Sequence, residues 1–297
     1  MKEGYPLVTI YIPTKNRHKC LANAINSCLT QSEKNIEIIV VNDGSTDSTP
    51  ELLQHYSNSF DNIHHVNMKQ SLGAPACRNV AIKMAKGKFV TGLDDDDIFE
   101  EFRVRDFLSI YNSKWSFLCS TASEWQPETG EVINTHPSNK TISFNEIKRR
   151  NLVGNQIFIE TQRIQAVGGF DETLQAWQDY DLWFRLIERY GPAFKIGNSS
   201  MRIRTSGERI SSSPKAKIGY QQFIAKHKIK LSKEELLSQS INDLTNRRVK
   251  LSLYKSLIVG FQTKNTTRML LLYLRTNFNW LYTTAVKFAI KAPKIKN

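Results

Sequence analysis

Over its first hundred residues the chain alternates short apolar runs with amphipathic stretches. Leu7 to Ile12 (LVTIYI) is apolar and β-branched, which predicts a first strand, and Pro13-Thr14 ends it. After Lys15-Asn16-Arg17 an amphipathic helix is expected to about Gln31. Ile36 to Val41 (IEIIVV) is apolar almost throughout, as in a parallel strand covered on both faces. Asn42-Asp43-Gly44-Ser45 reads as a turn; Thr49-Pro50-Glu51 then opens a helix, with Thr49 as N-cap and Pro50 at N1. A weaker third strand is expected over Asn62 to Asn67 and a helix over Gly73 to Lys86. Next comes KFVTGLDDDD, a short apolar run (Phe89, Val90, Leu93) that ends in four aspartates, Asp94 to Asp97. The order βαβαβαβ implies a parallel sheet with right-handed crossovers.

Beyond the aspartates the pattern predicts a helix over roughly Glu101 to Asn112, a strand over Ser116 to Thr121 and a hairpin over Glu124 to Val132 that turns at Pro127–Gly130. A strand over Asn155 to Glu160, a helix over Asp179 to Tyr190 and a last strand over Met201 to Arg204 follow. The serine-rich stretch Gly207 to Pro214 is the expected boundary between a body of residues 1–214 and a helical appendage of residues 215–297. In the appendage, Leu271, Leu274, Phe278, Leu281, Ala285 and Phe288 recur at spacings of three and four, with Arg268, Arg275, Lys287 and Lys291 among them. That is a basic amphipathic helix. Arg275, Asn277, Asn279 and Lys287 interrupt it well short of the ~20 apolar residues of a membrane span, so a helix lying in a membrane surface fits better, with a helix packed on the protein's own body as the alternative.

Charge sharpens this division. The chain carries a net +13, yet residues 215–297 hold 17 Lys and Arg against three Asp and Glu. The body is therefore near neutral, and the positive excess belongs to the appendage. No recognition motif or zinc site accompanies that charge, which favours an anionic membrane surface over nucleic acid as its partner. With 297 residues, 40% of them hydrophobic, the chain suffices for one large domain and an appendage. The opening MKEGYPLVTI has no apolar leader, and Cys20, Cys28, Cys77 and Cys119 are scattered without metal-site spacing. Both features suit a cytosolic protein with reduced thiols.

The aspartates bring in chemistry. Ligands of open α/β sheets bind beyond the carboxyl ends of the strands. Four like charges held there repel unless something positive neutralises them. Mg²⁺ or Mn²⁺ would do so, bridging carboxylates to a phosphate. A solvated acidic loop is the plainer alternative. The spaced ligands and central glycine of a calcium-binding EF-hand loop are missing. The loop after the first strand reads PTKNR, without the glycines that cradle phosphates in nucleotidyltransferases, and there is no GxGxxG of a dehydrogenase.

Four blocks now stand in order: VTIYIPTKNR (8–17), EIIVVNDGSTD (37–47), GAPACRNVAIKMAKGKFVTGLDDDD (73–97) and GGFDETLQAWQDYDLWFRL (168–186). Together they resemble the inverting glycosyltransferase family 2, over roughly residues 6–210, in the manner of bacterial enzymes that build O-antigen, lipopolysaccharide core or capsule. The resemblance implies an α/β GT-A fold, a Rossmann-like mixed sheet flanked by helices. It assigns Pro13, Thr14, Asn16, Arg17, Asp43, Gly44, Arg78, Asp94 and Asp95 to the nucleotide sugar, with Asp43 on a uracil ring and Arg78 on the nucleotide or an active-site aspartate. It places the metal, Mn²⁺ or Mg²⁺, on Asp96 and Asp94, and leaves Asp97 as a cap for the next helix. Asp179 matches the family's base, with Trp177 and Trp183 expected to desolvate it and Trp177 and Gln178 expected to border the acceptor. The implied reaction moves a hexose, glucose or galactose favoured, from a UDP-sugar to a lipid-linked glycan at the cytoplasmic face of the membrane. Two departures stand out. Gln178 replaces the usual glutamate, and the late run Met201-Arg202-Ile203-Arg204-Thr205 lacks the family's histidine, so that Arg204 or Arg209 would offset diphosphate charge. A competing reading is a membrane-surface module that keeps the fold without activity; the intact Asp94–Asp97 and Asp179 argue against it.

Overall fold

The computed structural model describes residues 6–133, 139–205, 213–263 and 266–278. These residues fall into two compact units. One contains residues 6–133, 139–147, 151–174 and 178–205; the other contains 148–150, 175–177 and the chain from 213 onward.

The first unit is built on a mixed sheet. Strands β1 (Val8–Thr14), β2 (Ile36–Asn42), β3 (Ile63–Asn67) and β4 (Phe89–Gly92) pair in parallel in the order β3-β2-β1-β4, as the alternating pattern implied. Helices α1 (His18–Leu29), α2 (Thr49–Ser59) and α3 (Ala74–Met84) make the crossovers. Every residue of β1, β2 and β4 is buried, which explains their lack of alternation. One buried carboxylate fixes this half: Glu37 on β2 accepts from Thr9 Oγ1 at 2.5 Å and from the backbone N–H groups of Lys86 and Gly87 at 2.6 and 3.0 Å. It thereby holds the turn that feeds β4.

After the aspartates the sheet changes direction. β5 (Ile98–Phe99) pairs antiparallel with β10 (Ala193–Arg204), and α4 (Arg103–Ile110) follows it. β6 (Leu118–Gln126) forms a hairpin with β7 (Glu131–Ile133), where the turn residues predicted one. β8 (Lys140–Ile142) pairs with β10, and α5 (Phe144–Ile147) is a single turn. β9 (Phe158–Glu160) sits between β4 and β6, antiparallel to both. α6 (Thr161–Ala166) and α7 (Gln178–Tyr190) complete the unit. Arg103 pins the strands beside the aspartates. Its buried guanidinium lies 4.4 Å from the Phe99 ring centroid and 4.8 Å from that of Phe107, and Nη1 donates to Ser120 and Ser200 at 2.8 Å. Burial pulls its pKa down to about 9.

Three expectations need correction. The N-cap of α2 is Ser48, not Thr49; Asp47 accepts from the backbone N–H of Thr49 at 3.1 Å and supplies the cap instead. Asp97 caps no helix, since α4 starts at Arg103 and Asp97 faces β10. The last strand is far longer than Met201–Arg204: its middle carries Gly197, Asn198 and Ser199, and irregular register beside β6 hides its period.

The second unit is helical: α8 (Pro214–His227), α9 (Lys233–Asn246), α10 (Leu253–Thr263) and α11 (Thr266–Asn277). A capping box starts α9, with Ser232 Oγ accepting from Glu235 N–H and Glu235 accepting from Ser232 N–H. Ile241, Met269 and Leu272 form its small core. The predicted helix positions Leu281, Ala285, Lys287, Phe288 and Lys291 lie outside the described residues, as does Arg209. Among the described residues no helix is long and apolar enough to cross a membrane.

Candidate active site

The carboxyl ends of β1, β2 and β4 converge on the aspartates, and arginines organise them. Arg78, buried on α3, reaches two carboxylates at once: Nη2 donates to Asp94 Oδ1 at 2.9 Å and Nη1 to Asp179 Oδ1 at 3.3 Å. Its guanidinium lies 5.1 Å from the centroid of the Phe170 ring. The residues Asp94 and Asp179, 85 positions apart in sequence, are thus joined through one side chain. Arg78, expected to hold the nucleotide or an aspartate, here bonds the two aspartates Asp94 and Asp179.

Asp179 sits in the first turn of α7 with 26% of its side chain exposed. Burial pushes its pKa up to about 6; Arg78 works against that shift and Asp94 adds to it. The two tryptophans expected to desolvate it have their own packing partners. Trp183 is buried against Phe117 and Phe170 and donates to the Gly154 carbonyl at 3.0 Å. Trp177 adopts φ 67° and packs on Tyr220 and Phe223 within the second unit. Gln178 donates its amide to the Leu174 carbonyl at 3.1 Å.

The aspartates differ in environment. Asp94 also accepts from Gln156 at 3.1 Å and from Asn155 at 3.2 Å. Asp95 is buried, accepting from Thr14 Oγ1 at 2.8 Å and pairing with Arg17 at 3.0 Å. Burial raises its pKa to about 6, against the pull of Arg17. Asp96 pairs with the same Arg17 nitrogen at 2.7 Å and keeps 27% of its side chain exposed. Asp97 accepts from Arg204 N–H at 3.0 Å and Asn155 at 3.2 Å; burial, then Asp94, push it up to about 8.

The remaining predicted residues shape the loops. Asp43 accepts from Ser71 Oγ at 2.6 Å, Leu72 N–H at 2.7 Å and Gly73 N–H at 3.0 Å. These bonds outweigh its burial and hold its pKa below the usual carboxylate range. Gly44 has φ +66°, with Ser71 N 3.3 Å from where a Cβ would stand. Asn16, at φ 53°, accepts from Thr46 N–H at 2.7 Å and so ties the PTKNR loop to the loop after β2. Pro13 lies opposite Val41 at the end of β1. Arg204 donates to Cys20 Sγ at 2.9 Å and to Glu128 at 2.8 Å. Asn155 and Gln156 escaped sequence reasoning. Their signal was faint: two neutral amides before an apolar run.

The donor chemistry suits a hard cation. Asp94 and Asp96 offer oxygens only, and each keeps about a quarter of its side chain exposed. Among the described residues no three His, Cys, Asp or Glu converge as a cage. The set therefore fits an ion that takes one or two carboxylates and completes its shell with phosphate and water.

The family model described as glycosyl transferase family 2 matches residues 9–165. WcaA of Escherichia coli K12, named as a colanic acid biosynthesis glycosyl transferase, is 31% identical over 280 residues, covering 89% of this chain and 96% of that protein. TuaG of Bacillus subtilis 168, named for teichuronic acid biosynthesis, is 24% identical and covers 71% of this chain and 84% of its own. Among solved structures, S. aureus TarS 1-349 in complex with UDP-GlcNAc overlays with a TM-score of 0.58 at 18% identity, covering 90% of each chain. That likeness speaks for a shared fold, a GT-A architecture of helices around a mixed sheet.

Proposed function

The chain belongs to glycosyl transferase family 2, and from that premise we propose that it transfers a hexose, glucose or galactose, from a UDP-sugar to a hydroxyl of a lipid-linked glycan. The product is a bacterial surface polysaccharide, a reading supported by relatives named for colanic and teichuronic acid biosynthesis. The observation that carries the mechanism is the Arg78 bridge between Asp94 and Asp179. It fixes a carboxylate with a pKa of about 6 beside the strand end where a nucleotide diphosphate would lie.

Asp179 accepts the proton of the acceptor hydroxyl while that oxygen attacks the anomeric carbon. The bond to the diphosphate breaks, its electron pair leaves with UDP, and the proton stays on Asp179. One displacement inverts the configuration and gives a β-linkage. No second carboxylate nucleophile is required. Arg78 keeps Asp179 ionised near neutral pH and orients it. Asp43, held ionised, accepts from the uracil ring, and the Pro13–Arg17 and Asp43–Gly44 loops border the nucleotide. Asp96, with Asp94, would hold Mg²⁺ or Mn²⁺, which when bound neutralises charge building on the departing UDP as a Lewis acid. Arg204, whose backbone N–H bonds Asp97, offsets diphosphate charge. The basic second unit meets an anionic membrane surface at the cytoplasmic face, where a lipid-linked acceptor resides.

The test is a panel of UDP-sugars, each incubated with acceptor glycolipid and Mn²⁺, with UDP release measured. Turnover of one donor over the others supports the reading. No release from any UDP-sugar overturns it.

A further inference from the structure

Helix α10 is apolar on opposite sides. One side carries Ser256, Val259 and Gly260 and packs within the second unit. Val259 lies against the Ile241–Met269–Leu272 core, and a Cβ on Gly260 would stand 2.7 Å from Thr266 Cα. The other side carries Tyr254, Ile258 and Phe261. Their i, i+4, i+7 spacing stacks them in one row. Tyr254 is 74% exposed, Phe261 72% and Ile258 37%. A surface helix ordinarily turns charged or polar residues outward on such a face, and an exposed apolar row marks a docking surface. The exposed Lys255 lies in the first turn of the helix, and the exposed Lys250 three residues before it.

We propose that the Tyr254–Ile258–Phe261 face of α10 enters an anionic lipid bilayer, with Lys250 and Lys255 meeting its headgroups. This deepens the membrane-surface reading above, and rests on it, by naming the element that makes the contact. Charge selects the occupant. Residues 215–297 hold 17 basic side chains against three acidic ones. A bilayer with acidic headgroups is apolar beneath and anionic above, the combination this face complements. The Tyr254 ring, apolar with a polar tip, suits the boundary between headgroups and acyl chains.

The full chain is mixed with vesicles of phosphatidylcholine alone, or of phosphatidylcholine with phosphatidylglycerol, and sedimented. Binding is expected only to the second kind and should weaken with salt. The triple variant Tyr254→Ser/Ile258→Ser/Phe261→Ser should bind roughly tenfold more weakly or worse, because insertion scales with buried apolar area. Its UDP affinity should not change. A milder variant, Phe261→Trp, should be quenched by brominated lipid beyond the parent's level. Wild-type chain that ignores phosphatidylglycerol overturns the membrane reading and this proposal together. If Lys250→Glu/Lys255→Glu weakens binding but the triple variant does not, and Phe261→Trp is not quenched, the proposal for this face falls while the membrane reading stands. Concentration-dependent dimerisation that the triple variant abolishes also overturns it, in favour of a second copy as occupant.

Discussion

In the proposed mechanism Asp179 acts as a base only when ionised, so its pKa of about 6 would set the acid limit of activity. The turnover rate should therefore fall as pH drops through about 6 and level off above it, which a pH–rate profile reads directly. Asp179→Asn should lower turnover by roughly 10²–10⁴-fold, the range for loss of a general base, with UDP affinity preserved in calorimetry. Arg78 lowers the pKa of Asp179, so Arg78→Met should move the acid limb towards higher pH. The same change leaves two carboxylates without their cation and should cost on the order of 3 kcal/mol of stability in denaturant titration. Asp96→Ala or EDTA should abolish both turnover and tight UDP binding; full activity in EDTA would remove the metal from the mechanism. The resemblance singled out Asp43, Arg78, Asp94 and Asp179 beforehand, and the structure joins three of them, Arg78, Asp94 and Asp179, by hydrogen bonds. Asn155 and Gln156 were not singled out, because a neutral amide has no sign to betray which carboxylate it serves.

Elements were legible where hydrophobic period and burial agree. β1, β2 and β4 are covered on both faces, and their unbroken apolar runs announced it. β10 ran against this rule in its middle, since polar residues and irregular pairing blur the two-residue period. The short β8 and the helix α6 were too brief to leave a pattern. One position ties an element's integrity to the chemistry. A Cβ on Gly92 would stand 2.1 Å from Gln156 Oε1 and 2.5 Å from the Tyr11 ring. Gly92→Ala should cost about 1–3 kcal/mol by overpacking, seen as a lower melting temperature. It should also reduce turnover, because Gln156, which donates to Asp94, must give way.

At the scale of the whole molecule, composition sets residues 215–297 apart by charge, while the compact units divide the chain in another way. Residues 148–150 and 175–177 belong to the second unit although they lie deep within the first unit's sequence. There Lys148 pairs with Glu235 at 2.9 Å, and the Arg149 carbonyl accepts from Asn242 at 2.6 Å. Nothing in hydropathy flags pieces of three residues. A chain ending near residue 207 strips Trp177 of Tyr220 and Phe223. Such a truncation should lower the melting temperature and aggregate more readily than the full chain, as light scattering would report.

The tripeptides 148–150 and 175–177 also limit how the protein can be recombined. A chimera that borrows its C-terminal half from a relative, to redirect it to another glycan, inherits a partner surface meant for different inserts. Both tripeptides would have to travel with the graft. A swap drawn at a single junction should yield a chain folded in each part but mismatched at both tripeptides.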